Sequence, residues 1–380
     1  MQTSIFTEEH ELFRKSLRKM LEKEAFPYYV KWESSREVPR EFWLKLGENG
    51  FLWPWVDEEY GGLGLDFSFS MILTEELERV GQGMNSGISL HSEIVTPYIS
   101  TLGTNEQKQK WLPGCISGEI ITAIAMTEPG AGSDLAGIKT TARKEGSHYI
   151  LNGEKTFITN GTIADLAIVV CKTDPTQGHR GISLLVVEKD TAGFRRGKRL
   201  HKIGMHSGDT GELIFEDAKV PVSNLLGEEG KGFYYLMDKL QQERLIVALQ
   251  CQIEAEEMLR LTIDYVKQRQ AFGHSISKFQ NTQFKIAEMA TEIELGRTYL
   301  NQLTVRHVNN EKLVKEVAMA KWWVSEMAKR VAAECLQLHG GYGYMEEYEI
   351  ARGYRDIPVA SIYAGSTEIM KIIIAKQLDL

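Results

Sequence analysis

The sequence is short of cysteine, of long apolar runs and of surplus positive charge, and each shortage removes a class of protein. Its four cysteines, Cys115, Cys171, Cys251 and Cys335, stand far apart and form no CxxC pair. Neither a zinc ribbon nor a dithiol motif is therefore written into it, and this usage fits a reducing compartment. The longest uninterrupted apolar run, Leu166 to Cys171, is six residues, whereas a membrane span needs about 20 and the apolar part of a signal peptide about 7 to 15. Asp plus Glu at 52 outnumber Lys plus Arg at 44, a formal charge of −8, so nonspecific nucleic-acid binding has no bulk electrostatic driving force. The nine histidines form no HExxH and no closely spaced ligand set. His91, His201, His206 and His339 are expected to be structural or solvent-facing, and no metal is expected. The opening MQTSIFTEEHELFRKSL mixes acids among its bases, which is unlike a transit peptide and reads as an amphipathic first helix. The expected location is the cytoplasm, or the mitochondrial matrix for a eukaryotic chain already trimmed.

What is present is an ordinary folding composition, with 43% hydrophobic and 25% charged residues in 380, enough for two to three domains or one large one. Residues 1–120 carry a helical period, with Phe6, Leu12, Phe13 and Leu17 spaced at threes and fours and a turn at EEYGGLGLDF from Glu58. Between 121 and 226 the texture changes to short β-branched runs separated by turns, beginning at His148, Asp165, Gly181 and Gly211. From 227 to 380 the helical period returns in long segments, among them 276 to 309 and 311 to 338. Helices, then strands, then helices predict an α+β fold of three domains, an N-terminal helical domain, a central β domain and a C-terminal helical bundle; a doubly wound fold would alternate strand and helix throughout.

AMTEPGAGSDLAGIKTTA, from Ala125, is the first chemical candidate. Gly130 and Gly132 let backbone amides approach a ligand, and Thr127 and Ser133 add hydroxyls. A plain glycine turn entering the β domain would read the same way. The dinucleotide fingerprint GxGxxG fails at Leu135, and GYGYME from Gly341 does not complete it either. The second candidate lies in GFYYLMDKLQQERLIVALQ from Gly232, where Glu243 shares a helix face with Leu236, Leu240, Ile246 and Val247. Burial there would raise its pKa, as a general base working near neutrality requires. Pairing with Lys239 one turn back would make it structural, and on these residues alone both readings stand.

TEPGAGSD at Thr127 and KTFITNG at Lys155 resemble the acyl-CoA dehydrogenase family, and the resemblance extends along the chain through KIGMHSGDTGELIFEDAKVP at Lys202, KQRQAFG at Lys267, QLHGGYGY at Gln337 and IYAGSTEIMKIIIAK at Ile362. It implies the three-domain architecture read above, FAD as cofactor, an acyl-CoA substrate, an electron-transfer flavoprotein as electron acceptor and a homotetramer built as a dimer of dimers. Carried over by position, Ile124, Met126, Thr127, Gly132, Ser133, Phe157, Ile158 and Thr159 should line the flavin. Arg269, Phe272, Gln280, Gln337, Gly340, Gly341, Ser366 and Glu368 should serve the rest of the cofactor, partly from a neighbouring subunit. Ser133, Arg180, Tyr234, Arg244, Ala364 and Gly365 should contact substrate. Most members carry Trp at the position of Phe157, and the long-chain members share Phe.

One departure matters for the chemistry. Many members carry their catalytic glutamate immediately before a glycine, where this chain has Ala364 before Gly365. Alanine cannot take a proton, and the QERL context of Glu243 resembles the long-chain and isovaleryl branches, whose base occupies this helix. The expected reaction is α,β-dehydrogenation of a medium, long or branched acyl-CoA to the trans-2-enoyl-CoA, with Glu243 as base. The backbone amide of Ala364 would serve as one donor to the thioester carbonyl, a role that survives loss of the side chain. The alternatives are a flavin oxidase or monooxygenase on the same fold, and a catalytically silent acyl-CoA-binding paralogue.

Overall fold

The structure, a computed structural model, describes residues 6–380; the first five residues of the expected N-terminal domain lie outside that range. Seven helices come first: α1 (Glu8–Glu24), α2 (Tyr29–Ser35), α3 (Arg40–Glu48), α4 (Phe67–Val80), α5 (Gln82–Ser89), α6 (Thr96–Leu102) and α7 (Asn105–Ser117). Local chemistry sets their ends. Asp66 caps α4 by accepting from Ser68 N at 2.8 Å. Thr104 and Gln107 cap α7 reciprocally, side chain to backbone, at 3.3 and 3.0 Å. Gly118 then stops α7 at φ +79°, where any Cβ would lie 2.4 Å from the Trp43 carbonyl. Between α5 and α6 the chain winds as a π-helix, Leu90–Val95, an expanded turn that recurs near functional sites.

The middle of the chain forms one seven-stranded sheet from β1 (Thr122–Ala125), β2 (Thr141–Glu145), β3 (His148–Thr159), β4 (Leu166–Lys172), β5 (Ile182–Glu188), β6 (Phe194–Arg199) and β7 (Thr210–Pro221). Its order is β1-β4-β2-β3-β7-β6, with β5 on the other side of β4. β1 and β4 run parallel, and the long β3–β7 and β4–β5 pairs are antiparallel. The longest apolar run of the sequence becomes β4, and its alternation feeds two cores. Leu166, Ile168 and Val170 pack with the N-terminal helices, while Ala167, Val169 and Cys171 pack inside the β domain. The four strands expected from periodicity are β3, β4, β5 and β7. β1, β2 and β6 were not legible, because TARKE and FRRGKR carry charge where a strand signal needs apolar alternation.

The pairing of β3 with β7 shifts register twice, between Leu151 and Gly153 and again between Lys155 and Ile158. At the first bulge Asp217 takes φ +49° and exchanges two hydrogen bonds with the Asn152 side chain, at 2.8 and 2.9 Å. At the second, Phe157 takes φ +59°.

The C-terminal part is a bundle of α8 (Gly232–Gln268), α9 (Gln280–Val308), α10 (Val314–His339), α11 (Glu349–Asp356) and α12 (Thr367–Lys376). α8 is 37 residues long, about 55 Å at the usual rise, and packs against α4, α9 and α10. The segment expected to be helical from 276 starts instead as a 3-10 turn, Ile276–Lys278, after a two-stranded hairpin of β8 (Gln270–Ala271) and β9 (His274–Ser275). Phe272 and Gly273 close that hairpin with φ of +54° and +87°, the primed-turn geometry that fits strand twist. Buried polar contacts knit the three parts: Glu33 accepts from Ser207 N at 2.8 Å and Asp356 accepts from Met205 N at 2.5 Å. All four cysteines are free and buried. Among the described residues no helix is long and apolar enough to cross a membrane.

Candidate active site

Glu243 lies on the buried face of α8 and is 5% exposed. Its carboxylate Oε1 accepts a 2.8 Å hydrogen bond from Tyr98 Oη, delivered by α6. Burial pushes the carboxyl up to about 7, with the Tyr98 hydroxyl and the neighbouring Arg244 guanidinium pulling it back. The structural alternative of a pair with Lys239 is not formed, since the Lys239 ammonium lies 3.8 Å from Asp238. Tyr98 was invisible in the sequence: an aromatic 145 residues away on a buried helix looks like any core residue.

Arg244, next in sequence, is also buried, and its Nε has no hydrogen-bond partner among the described residues. A Cβ built on Gly365 would sit 3.8 Å from its Nε and Nη2, so α8 and the Tyr363–Ser366 segment meet at this point. Ala364 and Gly365 both hold left-handed backbone, φ +51° and +92°, and neither amide N–H has a backbone acceptor among the described residues. Ser366 caps α12 through Ile369 N, and Glu368 is exposed in its first turn. Two successive residues of α8 thus join two neighbours: Glu243 meets the Tyr98 hydroxyl of α6, and the unpaired Arg244 guanidinium meets the segment before α12 with its unspent amides.

The second group of sequence-predicted residues gathers at the β domain. Met126 and Thr127 are half-buried, Gly132 and Ser133 are exposed, and a Cβ built on Gly130 or Gly132 meets nothing within 4 Å. The loop is held from below: the buried Lys155 ammonium donates to the Met126 carbonyl at 2.9 Å and to Glu128 at 2.8 Å, while Thr156 N donates to the Thr127 carbonyl at 3.0 Å. The bulge turns Phe157 outward, 68% exposed, beside half-buried Thr159. Ile124 and Ile158 flank this loop with their side chains turned away from solvent. Ile124 packs in the core shared with the N-terminal helices and Ile158 in the core of the β domain.

A third group lines an open cleft of about 540 Å³ between the end of α8 and the end of α10, containing Arg269, Gln337, Gly340, Gly341 and Tyr342. The Arg269 guanidinium stacks on Tyr342 at 5.4 Å. Gly340 and Gly341 have open space where a Cβ would be. Phe272 and Gln280 do not line this cleft, and Phe272 projects 92% exposed from the hairpin tip. Arg180 and Tyr234 lie together elsewhere, joined through His179, whose ring is 6.1 Å from that of Tyr234.

Arg180, Arg244 and Arg269 are, with Arg36, the arginines that form neither an ion pair nor a side-chain hydrogen bond among the described residues. The hydroxyls of Thr127, Ser133 and Thr159 and the amides of Gln280 and Gln337 are likewise unspent there. Hydrogen-bonding groups left over on open surfaces, together with glycines that face no neighbour, fit a long ligand carrying phosphates and a flat ring system. Histidine does not contribute a metal site. His91 is buried between Thr122 and the Cys115 carbonyl, and burial lowers it to about 3. Among the described residues no three His, Cys, Asp or Glu side chains cluster to hold a metal.

Comparison with known proteins agrees with this layout. Three sequence-family models match: the acyl-CoA dehydrogenase N-terminal domain over residues 7–119, the middle domain over 123–218 and the C-terminal domain over 230–378. The chain belongs to the acyl-CoA dehydrogenase family, FAD-dependent oxidoreductases acting on the CH–CH group of acyl-CoA. The mitochondrial long-chain specific acyl-CoA dehydrogenase of Rattus norvegicus is 47% identical over 376 residues, 98% of this chain and 87% of that protein. A solved acyl-CoA dehydrogenase from Geobacillus kaustophilus matches with a TM-score of 0.98 and 65% identity over 99% of both chains. A chain in a structure of the electron transferring flavoprotein of Acidaminococcus fermentans matches with a TM-score of 0.95 and 39% identity over 98% of both.

Proposed function

We propose that this chain removes the α proton of a medium, long or branched acyl-CoA through Glu243 and yields the trans-2-enoyl-CoA. The observation that carries the reading is a carboxylate raised to about 7 by burial, with Tyr98 as its hydrogen-bond partner, on the helix whose next residue, Arg244, meets the Ala364–Gly365 segment with its unspent amides. At that pKa the group is about half ionised near neutrality and takes a proton without the penalty of a fully solvated carboxylate. The amide of Ala364, directed by left-handed backbone, serves as a donor to the thioester carbonyl as it gains charge. When bound, FAD supplies the hydride acceptor. Thr127, Ser133, Phe157 and Thr159 fit its ring system and Arg269, Gln337, Gly340 and Gly341 its phosphates and adenine end, while Arg180 and Tyr234 fit the phosphates and base of coenzyme A. An electron-transfer flavoprotein is the proposed electron acceptor, supported by the Acidaminococcus likeness. A homotetramer is the proposed assembly, supported by the exposed Phe272, Phe284, Leu295 and Tyr344 on the C-terminal bundle. Four buried free thiols fit the cytoplasm or another reducing compartment.

The test is anaerobic mixing of the yellow holoprotein with a panel of acyl-CoAs in a stopped-flow spectrometer. Flavin bleaching with enoyl-CoA formation is expected; a protein that binds these thioesters without bleaching would refute the reading. Reoxidation in aerated buffer, faster than with an electron-transfer flavoprotein, would turn it into an oxidase.

A further inference from the structure

Lys321, on α10, has no exposed surface and forms no ion pair among the described residues. Its ammonium donates one hydrogen bond, 2.6 Å long, to the Gly365 carbonyl. A buried cation without a carboxylate is costly, and an apolar side chain of equal volume there is commonly neutral or stabilising. Lys155, the other fully buried lysine, has the Glu128 carboxylate to offset its burial. Something other than stability therefore accounts for Lys321.

The carbonyl it grips belongs to a segment of the site built from strained backbone. Ala364 is a non-glycine residue at φ +51°, Gly365 follows at φ +92°, and their N–H groups are unspent. Left-handed alanine costs on the order of 1 kcal/mol and persists only where its surroundings hold it. The ends of the strap are tied by Tyr363 N to the Val359 carbonyl and by the Ser366 cap, and its middle is held by the hydrogen bond from Lys321, the Tyr363 hydroxyl having no partner among the described residues. On the site side lies Arg244, itself unpaired.

We propose that Lys321 is a positioning residue: its buried ammonium, bonded to the Gly365 carbonyl, holds the Tyr363–Ser366 strap so that the free amide of Ala364 stays aimed at the substrate's thioester carbonyl. The inference rests on the proposed acyl-CoA reaction and concerns how that site is kept in shape. Lys321 touches neither the reacting carbons nor the base.

The probe is a 3-arylacryloyl-CoA, a conjugated thioester whose absorption moves to the red when its carbonyl is polarised. Bound to the parent holoprotein it should show that shift; no shift there would overturn the functional reading together with this one. In Lys321→Met, binding is expected within about threefold of the parent and the red shift cut to about half or less, because the donor is no longer preorganised. For a natural acyl-CoA, kcat should fall while KM stays near the parental value, and Tm should be equal or higher. A parental red shift in a folded, FAD-retaining Lys321→Met protein overturns the positioning role while leaving the functional reading intact. Lys321→Leu is read in its place if the Met variant does not fold. Failure of both to fold assigns the residue to stability and likewise overturns the proposal.

Discussion

The base and the Arg269 cleft show two ways of preparing a site. Around Glu243 the groups are enclosed: α6 brings Tyr98, α8 brings Glu243 and Arg244, and the Ala364–Gly365 strap meets Arg244, all buried or half-buried. Around Arg269 the glycines, the guanidinium and Gln337 are laid out on an open cleft with their hydrogen-bonding side chains unspent. The difference follows from what each must do. A base needs a dry, preorganised setting to hold its pKa up, whereas a phosphate site needs access and is completed by what binds it. The closed region should therefore respond to mutation in rate and pH dependence, and the open one in retention of ligand.

The largest expected effect is on rate. Glu243→Gln keeps shape and hydrogen-bonding capacity but cannot accept a proton, so stopped-flow bleaching by a long acyl-CoA should slow by about 10² to 10⁴ with binding retained. Bleaching at the parental rate would take the base out of the closed region altogether. The same variant carries a stability signature. The carboxyl titrates near 7 folded against 4.5 as a free group, so the folded state holds its proton longer and stability is lost as pH rises through that window. With about 1.4 kcal/mol per unit, Glu243→Gln should gain about 3 kcal/mol over the parent above pH 7 and almost none of this below pH 4.5, as followed by thermal or denaturant melts. A pH-independent difference would mean that the burial of Glu243 is not what shifts it.

Arg269→Ala probes the open region. Losing a charge-assisted phosphate contact should weaken FAD retention by about ten- to a hundredfold, measured by dialysis and absorbance, with little change in the melting of the apoprotein. Equal occupancy in variant and parent would show a surface cation and nothing more. Tyr98→Phe is the smallest change and returns to the closed region. It removes a hydrogen bond that lowers the Glu243 pKa, so the acid limb of the pH–rate profile should move up by about one unit, slowing turnover several-fold at pH 6 to 7 and little at pH 9.

The sequence was most legible where chemistry is local. β4 and β5 announced themselves as apolar runs, the turn at Gly61–Gly64 as clustered glycines, and Glu243 as an acid on an apolar stripe. It was least legible where a side chain earns its role from a partner far along the chain. Tyr98 and Lys321 look like helix residues of no special kind, the second like a surface cation, until α6 meets α8 and α10 meets the strap. Arg269 is an intermediate case. Its spacing alone reads as solvated surface, and only the run of matching motifs around it pointed to a phosphate. Ile158 shows what a motif leaves unsaid, since it stands next to exposed Phe157 in KTFITNG while the strand's alternation packs its side chain into the β-domain core.

The two irregularities between β3 and β7 act in opposite senses. The first inserts an extra residue on β7 near Asp217, the second inserts one on β3 near Phe157, and the partners beyond them resume the offset they had before. The pair works like a vernier: a short stretch around Gly153–Lys155 slides by one step and slides back, and the sheet on either side keeps its registration. Removing one inserted residue would leave a frame error running to the end of the strand and reverse the faces of every side chain along it. Removing both would let the ladder close, and the sheet would lose the Asn152–Asp217 exchange and the outward aim of a single phenylalanine.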